Sequence, residues 1–282
     1  MSDSLKESLL KLKKINDEEV TAIKVPKYSK KNVLGFDLFP ELYSNIFICA
    51  KKKSGKTSVI FKILKECASK ETKIIAFCTT HKKDANWIAI KEYLDKKEIP
   101  NMFFGSMEEE GVHILEQIVK KLEQGAEIEE KKEEEIEEEA KIINFDEDDK
   151  YIRIKIKKPK PKKLAPEYIF IFDDFSTELR DKVLAHLVKT NRHPKAKVII
   201  SSQYPNDLRP DCRKQMDAWI VFKGHSKDKL EAIHQNTDTN IPYPLFETIY
   251  EDATTEKYNF LYIDTNNGKY RKNFNMEYQL SD

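Results

Sequence analysis

The sequence predicts an α/β fold in which a mainly parallel central sheet is flanked by helices, and three observations predict it. Asn45-Ile-Phe-Ile-Cys-Ala50 is an unbroken apolar run of strand length, the pattern of a strand buried on both faces of a parallel sheet. Lys56 to Lys70 then places Ile60, Ile63, Leu64 and Cys67 on one face at helical spacing. A second strand, Lys73 to Cys78, and a second helix, about Asn86 to Lys97, follow directly. Such alternation of strand and helix is the mark of a doubly wound sheet.

The later chain extends the pattern. Strands are predicted at Tyr168 to Phe172, Lys197 to Ser201 and Ala218 to Phe222, with a helix across Glu178 to Lys189. Asn259 to Asp264, the turn Thr265-Asn-Asn-Gly268 and Lys269 to Asn273 read as a hairpin at the sheet edge. Residues 1–44 read as an N-terminal helical docking arm: a short helix with Leu5, Leu9, Leu10, Leu12 and Ile15, then a connector through Pro26, Gly35 and Pro40. The main domain is assigned to 45–282, with a charged insertion at about 125–165. Glu127 to Glu139 holds nine acids, and Lys150 to Lys163 holds eight basic residues. Like-charge blocks of this kind read first as a solvated decoration of the core fold. The sharper alternatives are a self-neutralising pair of the acidic and basic blocks, or a basic strip, Arg153, Lys155, Lys157 and Lys158, offered to nucleic acid phosphates.

Composition bounds the function. With 282 residues, 39% hydrophobic and 35% charged, the chain can bury a real core and is neither a stapled mini-protein nor a disordered one. A net charge of +1 gives no overall field toward nucleic acid or an anionic membrane, so such a partner must be met by a local patch. Cys49, Cys67, Cys78 and Cys212 are widely spaced and read as reduced packing residues. The first fourteen residues lack the apolar stretch of a secretory signal, and no run approaches the ~20 apolar residues of a membrane span. A cytoplasmic protein is expected.

The chemistry begins at the first strand. Ala50-Lys-Lys-Lys-Ser-Gly-Lys-Thr57 fits the phosphate-loop pattern G-x-x-x-x-G-K-[ST] at every defined position but the first, where Ala50 stands for Gly. A strand feeds this loop and a helix leaves it, so backbone N–H groups can form an anion nest. Lys53, Ser54, Gly55, Lys56, Thr57 and Ser58 are the predicted nucleotide-binding residues: Gly55 permits a left-handed turn, Lys56 reaches the β- and γ-phosphates of ATP, and Thr57 supplies a Mg2+ ligand. The fold class is therefore that of a P-loop NTPase. Tyr168-Ile-Phe-Ile-Phe-Asp-Asp174 is an apolar strand ending in two carboxylates, a Walker B pattern. Asp173 is assigned to Mg2+, and Asp174 to orienting or deprotonating the attacking water; capping of the next helix is the plainer alternative. Gln203, ending the strand Lys197 to Ser201, is placed within reach of the γ-phosphate as a sensor. Arg192 is either an arginine finger toward a neighbouring subunit's nucleotide or a surface ion pair, and His193 reads as a helix cap.

AKKKSGKT, IFDDFS, NRH and VIISSQYPNDL, closed by NFLYIDTNNGKYRKN, occur in this order. The series resembles the genome-packaging ATPases of poxviruses, other large eukaryotic DNA viruses and virophages, a branch of the FtsK/HerA superfamily. The resemblance implies an ATP-driven motor that pumps double-stranded DNA into a capsid. It further implies a homo-oligomeric ring, a pentamer or hexamer, with capsid or portal proteins as partners, in the viral factory or virion. By that likeness Asp173 and Asp174 serve hydrolysis, Gln203 senses the γ-phosphate and Arg192 acts across the subunit boundary. A kinase or transferase is the competing enzyme reading, although only six arginines are present and none cluster as a lid; a non-catalytic nucleotide-binding scaffold is the other.

Overall fold

The computed structural model describes residues 32–125, 163–175, 177–238 and 240–280. The N-terminal helix and most of the charged insertion, with its basic strip, lie outside the described residues.

Strand β1 (Asn45–Cys49) is buried at every position and feeds helix α1 (Lys56–Cys67). Then come β2 (Lys73–Cys78), α2 (Ala85–Lys96) and β3 (Asn101–Phe104). A two-stranded ribbon of β4 (Glu108–Glu109) and β5 (Val112–His113) leads into α3, described over 114–125. After the insertion run β6 (Tyr168–Asp173), α4 (Lys182–Thr190), β7 (Ala196–Ser202), the short α5 (Pro210–Arg213) and β8 (Ala218–Phe222). Helices α6 (Lys227–Thr237) and α7 (Tyr243–Ala253) precede a closing meander of β9 (Phe260–Asp264), β10 (Lys269–Lys272) and β11 (Met276–Glu277).

The sheet order is β11-β10-β9-β8-β1-β7-β6-β2-β3. Six strands, β3 through β8 in that order, run parallel, and the meander adds antiparallel edge strands. The expected edge hairpin is therefore present. Each face of the sheet carries its own core. Ile46, Ile48, Ile169, Ile171 and Ile199 pack toward α1 and α2, through Ile60, Ile63, Leu64, Trp87 and Ile90. Phe47, Phe170, Phe172, Val198 and Ile200 face α4, α6 and α7, through Leu184, Leu187, Ile233, Phe246 and Ile249. Burial on both sides is why these strands read as continuous apolar runs.

The helix predicted over Glu178 to Lys189 is broken at Asp181. Its carboxylate accepts the N–H groups of Val183 (2.6 Å) and Leu184 (3.1 Å) and caps α4, leaving Glu178–Arg180 as a separate 3₁₀ turn. All four cysteines are buried free thiols, in keeping with their reading as packing residues. Among the described residues no helix is long and apolar enough to cross a membrane.

Residues 32–44 are anchored to the body. Asn32 and Leu34 exchange backbone hydrogen bonds with Leu164, and Phe39 and Leu42 are buried. The anchor is closed by Lys197 of β7, whose ammonium is buried and donates to Ser44 Oγ (2.6 Å) and the Glu41 carbonyl (3.1 Å) above the Phe39 ring. Burial holds this lysine below its ordinary pKa. The folded protein thus sheds the proton more readily than the unfolded chain, and stability grows as pH rises from the folded value toward ~10.4. In urea unfolding between pH 7 and pH 10, the wild type should gain stability relative to Lys197→Met. A constant difference would show that burying this charge has no pH-dependent cost.

Candidate active site

The loop between β1 and α1 ends in a left-handed residue, Gly55 at φ 101°, and Lys53 is also left-handed at φ 63°. Helix α1 has no side-chain cap and no acid in its first turn. The N–H groups of Gly55, Lys56 and Thr57 precede the first intrahelical bonds and lie at the positive end of the helix dipole. Ser54 Oγ is buried and has no hydrogen-bond partner among the described residues. An anion at this point would satisfy all of these donors at once. Ala50 is buried and its N–H donates to the Ser202 carbonyl (2.9 Å), so the position needs a small residue and gains nothing from glycine's freedom.

The carboxylates stand opposite. Strand alternation puts Ile169, Ile171 and Asp173 on the face toward α1 and α2, with Ile199 and Ser201 in register on β7. Asp173 is buried. Its Oδ1 lies 2.9 Å from the Lys56 ammonium and accepts the Ser201 hydroxyl, while its Oδ2 accepts the Trp87 indole N–H at 2.9 Å. Asp174 Oδ1 is 3.2 Å from the same ammonium and its side chain is 37% exposed. Burial works against the charge on Lys56, but Asp173 and Asp174 more than offset it and hold this lysine above its ordinary pKa.

The other predicted residues divide into two groups. Thr57 is half-buried at the first turn of α1, beside Lys56. Ser58 is exposed and its N–H is taken by the Gly55 carbonyl (3.0 Å), which leaves only its side chain for a ligand. Gln203 follows β7 directly, between β1 and β6 at their carboxyl ends, and its carbonyl faces the Cys49 thiol. Arg192, in contrast, is exposed in the turn before β7, at the amino end of the sheet and away from Lys56. The fold does not bring it to the site of its own chain. His193 shares that turn, its N–H donating to the Thr190 carbonyl at the end of α4.

Two site residues carry little or no signal in the sequence. Ser201 has a weak signal, the polar pair Ser201-Ser202 closing an apolar strand. Trp87 has none, because only the folding of α2 against β6 delivers its indole. Nearby, the His225 ring lies 3.3 Å from the Cys49 carbonyl, and burial lowers its pKa below the ordinary histidine value.

A buried strand, a left-handed glycine, an uncapped helix and a lysine clamped by two strand-end carboxylates across one intervening strand decide the fold. It is that of a P-loop NTPase. No family model matches the sequence, and neither does any curated protein. Solved structures similar to the chain include the genome packaging NTPase B204 of Sulfolobus turreted icosahedral virus 2 in complex with AMP. That structure is 15% identical, with a TM-score of 0.49, over 86% of this chain and 100% of that one. B204, the DNA-packaging ATPase from Sulfolobus turreted icosahedral virus, is 18% identical, with a TM-score of 0.49, over 84% of this chain and 98% of that one. Thermomonospora curvata EccC (ATPases 2 and 3), in complex with a signal sequence peptide, is 11% identical, with a TM-score of 0.43, over 83% of this chain and 36% of that one. All three scores are below one half, and the fold assignment stands on strand order and loop geometry.

The Trp87–Asp173 bond is open to a direct measurement. A double-mutant cycle over Trp87→Phe and Asp173→Asn in urea unfolding should give a coupling of about 1–2 kcal/mol. A value near zero would show that the indole contributes packing alone.

Proposed function

We propose that the protein is an ATP-hydrolysing motor that translocates double-stranded DNA and packages a viral genome. The observation that carries hydrolysis is the placement of Lys56 between Asp173 and Asp174 at the mouth of the phosphate loop. The donors suit a triphosphate: the buried Ser54 hydroxyl, the uncapped N–H groups of α1 and the Lys56 ammonium all belong to residues 54–57. Thr57 and Asp173 offer the hard oxygens that would hold Mg2+. When bound, the ion neutralises charge on the phosphates.

Each side chain then has a task. Lys56 exchanges part of its pairing with the carboxylates for the phosphate oxygens. Ser201 and Trp87 fix the Asp173 carboxylate from two directions, so that it does not turn away as Lys56 shifts. Asp174, exposed and without a rigid frame of its own, orients water toward the γ-phosphate and takes its proton. Gln203 stands at the end of the strand between the loop and the carboxylates, the place from which a side chain can register the γ-phosphate. Arg192, at the far end of the sheet, acts on a nucleotide only from a second copy, as a ring supplies.

DNA as the driven partner is supported by the order of motifs in the sequence and by charge placement. Exposed Lys51, Lys52, Lys53, Lys82, Lys83, Lys223 and Lys257 all lie in segments at the carboxyl rim of the parallel strands. A chain of almost zero net charge thereby presents a basic edge to a polyanion.

Lys56→Ala should lower ATP turnover at least ~100-fold. Asp174→Asn should lower turnover strongly while ATP binding is retained, as measured by calorimetry. Duplex DNA should raise the wild-type ATPase rate, and sedimentation should show an oligomer. A rate indifferent to DNA would defeat the motor reading. ATP binding without turnover would leave a scaffold, and phosphoryl transfer to an added acceptor rather than water would leave a kinase.

A further inference from the structure

The two flanks of the phosphate loop are chemically unlike. On one side, β7 and β6 bring Ser201, Asp173 and Asp174, and Lys56 leans that way. On the other side β8 ends and the antiparallel β9 begins, so the segment before β9 lies at the same carboxyl rim. That segment presents Tyr258. A Cβ built on Gly55 would lie 3.2 Å from Tyr258 Cδ1 and 3.8 Å from Phe222 Cε1, so the tyrosine ring rests against the glycine of the loop.

Tyr258 has two features that packing alone does not explain. The residue is 57% exposed, the largest exposure among the large hydrophobic side chains described. It also adopts φ 72°, a left-handed conformation that is uncommon and strained for any bulky residue. Strain that places an aromatic ring in water beside a phosphate loop points to a ligand for the ring. The neighbouring Lys257 ammonium lies 4.8 Å from the ring centroid, and the buried Phe222 ring approaches the same glycine.

We infer that Tyr258 is the platform on which the nucleobase of the bound nucleotide stacks. The inference rests on the phosphate-loop reading: with the triphosphate end drawn toward Lys56 and the carboxylates, ribose and base extend from the open end of α1 toward the opposite flank. There the exposed ring is the aromatic surface in contact with the loop. Base–aromatic stacking is worth enough to matter for affinity and tolerates any base, because every base has a π-face. The site therefore takes nucleoside triphosphates, whatever the base, by ring stacking on Tyr258 and by phosphate contacts at residues 54–57.

The test compares two probes, ATP and inorganic tripolyphosphate, each with Mg2+, binding to the full chain by calorimetry. Tyr258→Ala should weaken ATP about tenfold and leave tripolyphosphate unchanged, while Tyr258→Phe should bind both as the wild type does. Unchanged ATP affinity in Tyr258→Ala would overturn the stack while leaving the phosphate loop intact. Equal weakening of both probes would also overturn it, by showing that the ring only props the loop. Failure of the wild type to bind either probe would overturn the phosphate-loop reading and this one with it.

Discussion

The site depends on one electrostatic arrangement, a single ammonium shared by two carboxylates at the rim of a parallel sheet. Lys56 is the first residue of α1, so its position is set by the left-handed turn at Gly55 and by the burial of Val59, Ile60 and Ile63 against the sheet. Asp173 is the last residue of β6, so its position is set by six positions of parallel register with β7 on one side and six with β2 on the other. The buried Asp173 and the half-buried Lys56 each need a partner. A lone carboxylate or ammonium in an apolar setting gives up its charge, whereas a pair with additional donors keeps it. Trp87 and Ser201 supply those donors, which ties the position of the Asp173 carboxylate to the packing of α2 and to the register of β7.

Much of this was legible in the sequence, because parallel strands buried on both faces leave continuous apolar runs. The runs at 45–49, 73–78, 168–173 and 218–222 needed nothing beyond that pattern. What escaped had weaker local signals. β3 is the four residues Asn-Met-Phe-Phe, and α6, Lys-Asp-Lys-Leu-Glu-Ala-Ile-His-Gln-Asn-Thr, buries only Leu230, Ile233 and Thr237. Its hydropathy is too thin to mark a face. The site divides in the same way. Lys56, Thr57, Asp173 and Asp174 belong to contiguous motifs, whereas Trp87 reaches Asp173, and Tyr258 the loop, only through tertiary packing.

Arg192 shows what topology adds to a linear reading. In a parallel sheet, a residue that precedes a strand lies at the amino end and one that follows it lies at the carboxyl end. Arg192 precedes β7 and Gln203 follows it, so the two are separated by the strand's length of about 23 Å at 3.3 Å per residue. Closeness in sequence to a sensor glutamine therefore says nothing about closeness to a phosphate. The rule uses no more than strand boundaries, and it divides the predicted residues into one set that a single chain assembles and one arginine that it does not.

The identity of the second carboxylate follows from the backbone. Consecutive residues of a strand point to opposite faces, so an extended β6 that ran on through residue 174 would aim Asp173 and Asp174 away from each other. Both instead lie within 3.2 Å of Lys56, because the chain turns into the left-handed region at Asp174, with φ 64°. Among residues other than glycine, aspartate and asparagine enter that region most readily, since a short polar side chain can bond locally. Glutamate would bring one more methylene of reach but a poorer fit to the turn. Here the turn delivers the carboxylate, and aspartate is the acid that enters such a turn more readily.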